Sequence, residues 1–402
     1  MNLLRSGLGD LAILGGAPTF NRPLPVGQLY FPCWEEYETA FRDIFVRQYY
    51  TNQGPLVQEF ERALQAFFGV RNVICVTNAT IGLIMTAEAL GLKGKIITPS
   101  FTFIATAQAL EWAGLYPVFC DVDRTTHHVT PKTIEDQLIE DQLDGEVSGI
   151  LAVNLWGGSC DLSALQALAD ERELQLFYDS AHAFGCKVND TLTGRFGAAE
   201  VFSFHATKVV SSAEGGCVTT NDDDLAKKLR NIRSSYGAGP PVHVVKTSNG
   251  RMSEAQAAIG LVSLDNFSNV VALNEELFGL YRNGLADIDG LRVLEPVNVN
   301  RSNFQYAVVE VDEVEFGLSR DLLLEVLRAE NVLARRYFFP GAHRCVPWVN
   351  RKSVAALPNT DRLCRTLIQL PIGAFMSNCD VETLCTLLGV IRERAADVKK
   401  RC

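Results

Sequence analysis

The chain has no CxxC pair, no cysteine and histidine cluster at zinc-binding spacing, no HExxH, no Walker-type GxxxxGK[ST] loop and no GxGxxG after its first strand-like run. These absences exclude the common zinc sites, P-loop nucleotide hydrolysis and the dinucleotide fingerprint. Of six histidines only His127 and His128 are adjacent, in no recognisable ligand set, so no metal is expected. The 11 cysteines stand singly and are odd in number, which reads as reduced thiols rather than a disulfide framework. No apolar run approaches the ~20 residues that span a bilayer. Asp10 and Pro18 bracket Leu11 to Leu14 too tightly for a secretory core. The expectation is a cytoplasmic protein without membrane association. Positive charge is also short: 37 Lys and Arg against 47 Asp and Glu give a net charge of -10, which repels polyanions and argues against nucleic acid as a partner. There is no internal repeat and no low-complexity stretch.

What is present is a globular composition, 47% apolar and 21% charged over 402 residues, enough for two or three packed units. From about Arg71, short β-rich runs alternate with helical patterns. Val73 to Val76, Lys95 to Thr98, Pro117 to Phe119, Gly149 to Asn154, Gln175 to Tyr178, Val201 to Phe204 and Gly216 to Thr219 read as strands, and Ile81 to Leu90 and Leu162 to Glu173 as helices. Such alternation predicts an α/β fold with a mostly parallel sheet, and several strands are continuously apolar, as helices on both faces require. Arg251 to Leu264 reads as a further helix with Ser253 as cap. Later the spacing changes: strand-like 305–311, a helix over 319–330, strand-like 332–337 and a terminal helix over 380–399. The expected organisation is an N-terminal segment, 1–50, that packs on the other units, a large domain, 51–280, and a smaller α/β C-terminal domain, 281–402.

In an open parallel sheet ligands bind beyond the carboxyl ends of the strands. Four places there carry polar groups. Thr77-Asn78-Ala79-Thr80 precedes a helix whose free N–H groups can bind a phosphate, although the same pattern serves as an ordinary N-cap. Asp179 ends an apolar strand and would gain from a cationic partner. The run Ser203-Phe204-His205-Ala206-Thr207-Lys208 brings a lysine whose pKa can fall and make it a nucleophile towards an aldehyde, unless it is a surface lysine. Glu214-Gly215-Gly216 allows a tight turn beside it. A phosphate cradle, an anionic strand end and a lysine are the parts that hold pyridoxal 5'-phosphate: the anion keeps the pyridine nitrogen protonated and the lysine makes the Schiff base.

Over nearly its whole length, from TNQGPLVQEFE at Thr51 to LPIGAF at Leu370, the chain resembles the DegT/DnrJ/EryC1/StrS sugar aminotransferases, of fold type I, the aspartate aminotransferase fold. The resemblance implies the following roles. SFHATK places the Schiff-base lysine at Lys208 and a phosphate ligand at Ser203. YDSAHAFG places the pyridine-nitrogen carboxylate at Asp179 and His182 near the ring. TNATIG, with Asn78, Ala79 and Thr80, corresponds to the phosphate loop, and PSFTFIAT puts Phe103 where an aromatic stacks on the ring. SNGRMSEAQAAIG implies that Asn249 reaches the cofactor phosphate of a neighbouring subunit, hence a homodimer with shared active sites. ARRYFFPGAHRCVPW makes Tyr337 and His343 substrate-side candidates and leaves Arg335 and Arg336 open between substrate and surface roles.

Two departures stand out: Ala79 replaces a usual glycine and Ala206 a common proline, both small enough to leave the chemistry intact. With NLWGGSCD and DSAHAFGC, the pattern looks most like the branch acting at C4 of dTDP-4-keto-6-deoxyglucose. Lys208 argues against the relatives that deoxygenate the sugar, which carry histidine there. The implied activity is transfer of an amino group from L-glutamate to a nucleotide-linked keto sugar. The rivals are amination at C3 or of a cyclitol ketone, a non-catalytic regulator that binds pyridoxal phosphate, and a binding module without cofactor.

Overall fold

A computed structural model of the chain describes residues 10–28, 33–140, 146–351 and 356–401. Seven strands form its main sheet: β1 (Asn72–Val76), β2 (Lys95–Pro99), β3 (Tyr116–Cys120), β4 (Val147–Val153), β5 (Gln175–Asp179), β6 (Ala199–Ser203) and β7 (Gly216–Thr220). Their spatial order is β1-β7-β6-β5-β4-β2-β3, with β7 antiparallel to both its neighbours and every other pairing parallel. The mostly parallel α/β sheet expected from the alternation is therefore present. The apolar runs follow from burial on both faces. In β1, Ile74 and Val76 pack with Leu83, Met85 and Leu229 on one side, and Val73 and Cys75 with Phe60, Leu64 and Phe68 on the other. Side chains such as Phe60 and Leu64, wholly removed from water, each contribute about 1.5–3 kcal/mol.

The antiparallel strand does more than close an edge. Because β7 starts where β6 and β1 end, pairing Gly216 with both Ser203 and Val76, it brings residues 214–216 to the same sheet edge as the carboxyl ends of the parallel strands. At Gly216 a Cβ would lie 2.7 Å from the Phe202 carbonyl oxygen and 2.8 Å from the Ala79 nitrogen, so only glycine fits.

A second, three-stranded antiparallel sheet, β8 (Leu291–Val293), β9 (Ala307–Val311) and β10 (Leu367–Leu370), shares a core with helices Phe267–Leu285, Arg320–Ala329 and Asn378–Glu393. Early residues are stitched to it. Leu24–Pro25 pairs parallel with Val332–Leu333, and the Ala12 and Thr19 N–H groups donate to Glu330 at 2.7 Å each.

Several element limits differ from expectation. The strand anticipated over 332–337 is confined to Val332–Leu333, because the chain turns away and Arg335 makes only an isolated bridge to Gln369. The terminal helix breaks at Arg394 into Asn378–Glu393 and Ala395–Arg401. The helix anticipated from Arg251 begins at Glu254, since Arg251 bridges Val76 and Ser253 caps with Gln256 in a reciprocal box. Helices Trp34–Arg47 and Pro55–Phe68 were not anticipated as elements.

The second of these is capped from outside its own sequence. Its N-cap, Gly54, has no side chain to offer, and the buried Glu254 carboxylate accepts the Leu56 and Val57 N–H groups, each at 3.0 Å. A Cβ on Gly54 would stand 2.5 Å from that carboxyl carbon, which accounts for the glycine. Replacement of Glu254 by alanine strands one buried and one half-buried donor. It is expected to cost about 3 kcal/mol of stability, read as a lowered urea midpoint, with the far-ultraviolet circular dichroism of the native state retained.

Candidate active site

The carboxyl ends of β1, β2, β4, β5 and β6 open into a cleft of about 480 Å³. At its β1 end the helix Ala79–Ala89 begins. Asn78 caps it, its Oδ1 accepting the Ile81 N–H at 2.9 Å and its carbonyl the Gly82 N–H at 3.1 Å. The N–H groups of Ala79 and Thr80 come first in the helix and have no intrahelical acceptor, so this end presents two donors and the positive pole of the helix. The capping and anion-binding readings of this loop are thus compatible: one side chain caps while two amides stay available. Ser203, at the end of β6, lines the same end of the cleft.

Asp179 closes β5 at the floor. Its Oδ2 accepts the Thr106 hydroxyl at 2.8 Å and its Oδ1 the Ala181 N–H at 3.2 Å. Burial pushes its carboxyl pKa up, opposed by these two bonds and by Lys208. The strand end is held from behind. Asn154 donates its N–H to the Asp179 carbonyl at 3.0 Å and its side-chain amide to Ser180, whose hydroxyl bonds the buried Glu200 at 2.6 Å. Burial raises that glutamate to about 7, with the Ser180, Phe196 and Gly194 bonds pulling the other way.

Lys208 follows a turn in which its N–H donates to the His205 carbonyl at 2.9 Å. Its Nζ donates to the Tyr306 hydroxyl at 2.8 Å. Desolvation lowers the amine to about 8 although the residue as a whole is only partly covered, and Asp179 acts in the opposite sense. His182 is buried, its ring 4.3 Å from that of Tyr306 and 5.6 Å from that of Trp156. Burial, then the nearby ammonium, holds its pKa well below the usual imidazole range, so it is neutral.

Of the residues expected from sequence, Asn78, Ala79, Thr80, Phe103, Asp179, His182, Ser203, Lys208 and Tyr337 all line this cleft. Phe103 stands at its mouth, 60% exposed. Asn249 does not line it: the residue is exposed, in a left-handed conformation with φ 50°, and its side-chain oxygen accepts from Arg251 at 3.2 Å. His343 is a correction. It lies wholly buried, Nδ1 at 2.5 Å from the Ser100 hydroxyl and Nε2 at 3.2 Å from Asp361, and does not line the cleft. Its part is to tie the 334–345 loop to the end of β2.

Sequence reasoning missed Thr106 and Tyr306, the direct partners of the two central side chains. Thr106 sits in the PSFTFIAT stretch beside Phe103, where the helical spacing from Thr102 to Thr106 was the available signal. Tyr306 carried no signal, since it comes from the other sheet. Arg335, left open before, lines the cleft, while Arg336 pairs with Asp321 at 3.5 Å. A larger hollow of about 740 Å³ lies near β8 and β9, but its central charge, Glu310, is already paired with Arg292 and Arg362.

The depressed Lys208 pKa has a measurable consequence. Between about 8 and the ordinary 10.5 the unfolded chain holds a proton at this position that the folded chain has released, so stability rises with pH across that window. Below it the buried ammonium is a full cost. In cofactor-free protein, Lys208→Met is expected to raise the urea midpoint at pH 7, with the advantage over the unaltered chain shrinking by pH 10.

The chain is similar along its length to known proteins. The chain is 34% identical over 374 residues to the dTDP-4-amino-4,6-dideoxy-D-glucose transaminase of Shigella dysenteriae, covering 92% of this chain and 100% of that one. It is 32% identical over 325 residues to the protein of the same description from Escherichia coli, covering 80% and 85%. The crystal structure of DesI in the presence of its TDP-sugar product superimposes with a TM-score of 0.90 at 39% identity, covering 98% of each chain. The model of the DegT/DnrJ/EryC1/StrS aminotransferase family matches residues 34–388. With a family match over most of its length and a relative 34% identical along its whole length, the chain belongs to the DegT/DnrJ/EryC1/StrS aminotransferase family.

Proposed function

We propose that the chain holds pyridoxal 5'-phosphate in this cleft and moves an amino group from L-glutamate to a nucleotide-linked keto sugar. The sugar is dTDP-4-keto-6-deoxyglucose, and the product dTDP-4-amino-4,6-dideoxyglucose. The observation that carries the reading is the meeting, in one cleft, of Lys208, Asp179 and the Ala79–Thr80 helix start, which are far apart in sequence. The choice of sugar is supported by the described activity of the Shigella and Escherichia relatives and by the TDP-sugar product of DesI.

The residues fit the cofactor at both ends and in the middle. The Ala79 and Thr80 amides, with the Thr80 and Ser203 hydroxyls, are donors for a phosphate. The Asp179 carboxylate, pushed towards its neutral form by burial, gains most from a cation placed against it, which a protonated pyridine nitrogen is. Phe103 and His182 flank the ring between these ends, and the His182 Nδ1 is buried without a partner among the described residues. When bound, the cofactor supplies an aldehyde and an electron sink for the carbon that loses its proton.

Lys208 does the proton work. With its pKa near 8 roughly a tenth of the amine is neutral at pH 7, against about one part in three thousand for an ordinary lysine. Its Nζ takes the proton from the donor's α-carbon as base and returns a proton as acid. Asp179 keeps the nitrogen charged throughout. Tyr337 and Arg335 meet the sugar nucleotide at the rim, where the guanidinium has no ion-pair partner among the described residues. Asn249 serves the phosphate of a second subunit. The exposed apolar side chains of Trp34–Arg47, with Trp34 64%, Phe45 66% and Val46 76% exposed, support a homodimer that covers them.

Absorption spectroscopy tests the reading. Purified protein supplied with pyridoxal phosphate is expected to show a near-visible band that L-glutamate bleaches, and Lys208→Ala to lack it. With both substrates the double-reciprocal plots are expected to be parallel; intersecting lines would count against two separate half-reactions. Asp179→Asn is expected to keep bound cofactor but lose about a hundredfold or more in turnover, and full turnover in that variant would remove its assigned role.

A further inference from the structure

The Lys208 amine does not stand free in the cleft. It reaches past the cleft wall to a phenol that the cleft itself does not expose. Tyr306 immediately precedes β9 and is 4% exposed, and its hydroxyl accepts the Nζ at 2.8 Å. Three rings fix that phenol: His182 at 4.3 Å, Trp156 at 5.6 Å and Tyr337 at 5.9 Å between centroids. The segment carrying it is fastened to the turn after Asp179. Asn303 donates to the His182 and Phe184 carbonyls at 3.1 and 3.0 Å, Gln305 to the His182 carbonyl at 2.7 Å, and Gln28 to the Gln305 carbonyl at 3.0 Å. So much polar fastening places one hydroxyl accurately against one amine.

We propose that Tyr306 is a positioning residue for Lys208: its hydroxyl receives the Lys208 amine whenever that amine is not joined to the cofactor, and holds it within reach of the reacting carbon. The proposal rests on the reading of the cleft given above. A lysine amine rides on a flexible four-carbon stem that carries about 2 kcal/mol of rotamer freedom. Once released, an amine so tethered spends most of its time away from the proton it must move, and a fixed acceptor restores the positioning. Tyrosine suits the task because it stays neutral. Burial, with Tyr337 next, holds its acidity well below the usual, so it accepts the amine's N–H without competing for the proton, and its own O–H is free for Tyr337. Phenylalanine would pack as well but would leave a desolvated amine with nothing to donate to.

Tyr306→Phe, which keeps the ring, provides the test in the full-length protein. First, in cofactor-free protein, competitive acetylation read on the Lys208 peptide across pH gives the titration midpoint of that amine. The groups around it are Asp179, His182, Tyr306 and Tyr337, with His205, Glu214 and Arg335 lining the cleft. An acceptor favours the ammonium more than the neutral amine, so its removal is expected to move the midpoint down from near 8 by about half a unit or more. Second, in the loaded protein, a single turnover with L-glutamate followed by absorption is expected to slow about tenfold or more, with cofactor affinity unchanged and a larger isotope effect from α-deuterated glutamate. An unmoved or raised midpoint, or an unchanged half-reaction, would overturn the proposal. Should the Phe variant not fold, Tyr337→Phe removes the hydroxyl beside that phenol, with a smaller downward shift expected and no shift counting against the proposal. Absence of any cofactor band in the unaltered protein would fail the pyridoxal phosphate reading alone, and the acetylation midpoints would still decide whether Tyr306 holds Lys208.

Discussion

Everything at the active edge depends on keeping a carboxylate and an amine out of water in the same cleft. Asp179 is pushed towards neutrality and Lys208 towards its free base, each by burial and each resisted by the other. Neither ion would persist there without fixed partners, and the surrounding structure supplies them from separate elements: Thr106 from the helix after β2, Ala181 from the turn after β5, and Tyr306 from the second sheet. The tension is useful because it keeps the lysine reactive near neutral pH and the carboxylate in need of a cation.

The sheet converts this local requirement into a fold. Parallel strands point their carboxyl ends the same way, so residues that follow β1, β2, β4, β5 and β6 meet without long excursions. The one antiparallel strand, β7, adds a loop that arrives at the same edge from the opposite direction. Its glycine at 216 lets the start of the Ala79–Ala89 helix come within contact of the sheet. The helix terminus and Lys208 are thereby held near one another by backbone geometry rather than by side chains that would occupy the site.

Much of this was legible in the sequence because burial on two faces writes continuous apolar runs, and strand ends then mark themselves by the first polar residue. Asp179 stood out for that reason, and Lys208 because it closes the polar run that begins at Ser203. What was illegible depended on contacts between distant segments. Tyr306 looks like any strand aromatic until the second sheet is placed against the turn at His182. His343 came forward through the resemblance carried by ARRYFFPGAHRCVPW, and only the approach of Ser100, from the end of β2, shows it to be a buried tie. The helix Pro55–Phe68 begins without a capping side chain, and its cap, Glu254, belongs to another helix far along the chain.

The capping box at the start of helix Glu254–Asp265 shows how such distant contacts restrict ordinary choices. Gln256 accepts the Ser253 N–H at 2.8 Å, a task glutamate performs equally well at this position in helices generally. Here the other end of the amide donates to the Glu214 carbonyl at 2.6 Å and leans on that of Thr77 at 3.4 Å. Glutamate would set a carboxylate oxygen against both carbonyl oxygens and prise apart the lysine-side loop and the helix-start loop. One nitrogen atom in place of one oxygen thus separates a capping residue that any helix could use from one that doubles as a clasp between two loops beside the cleft.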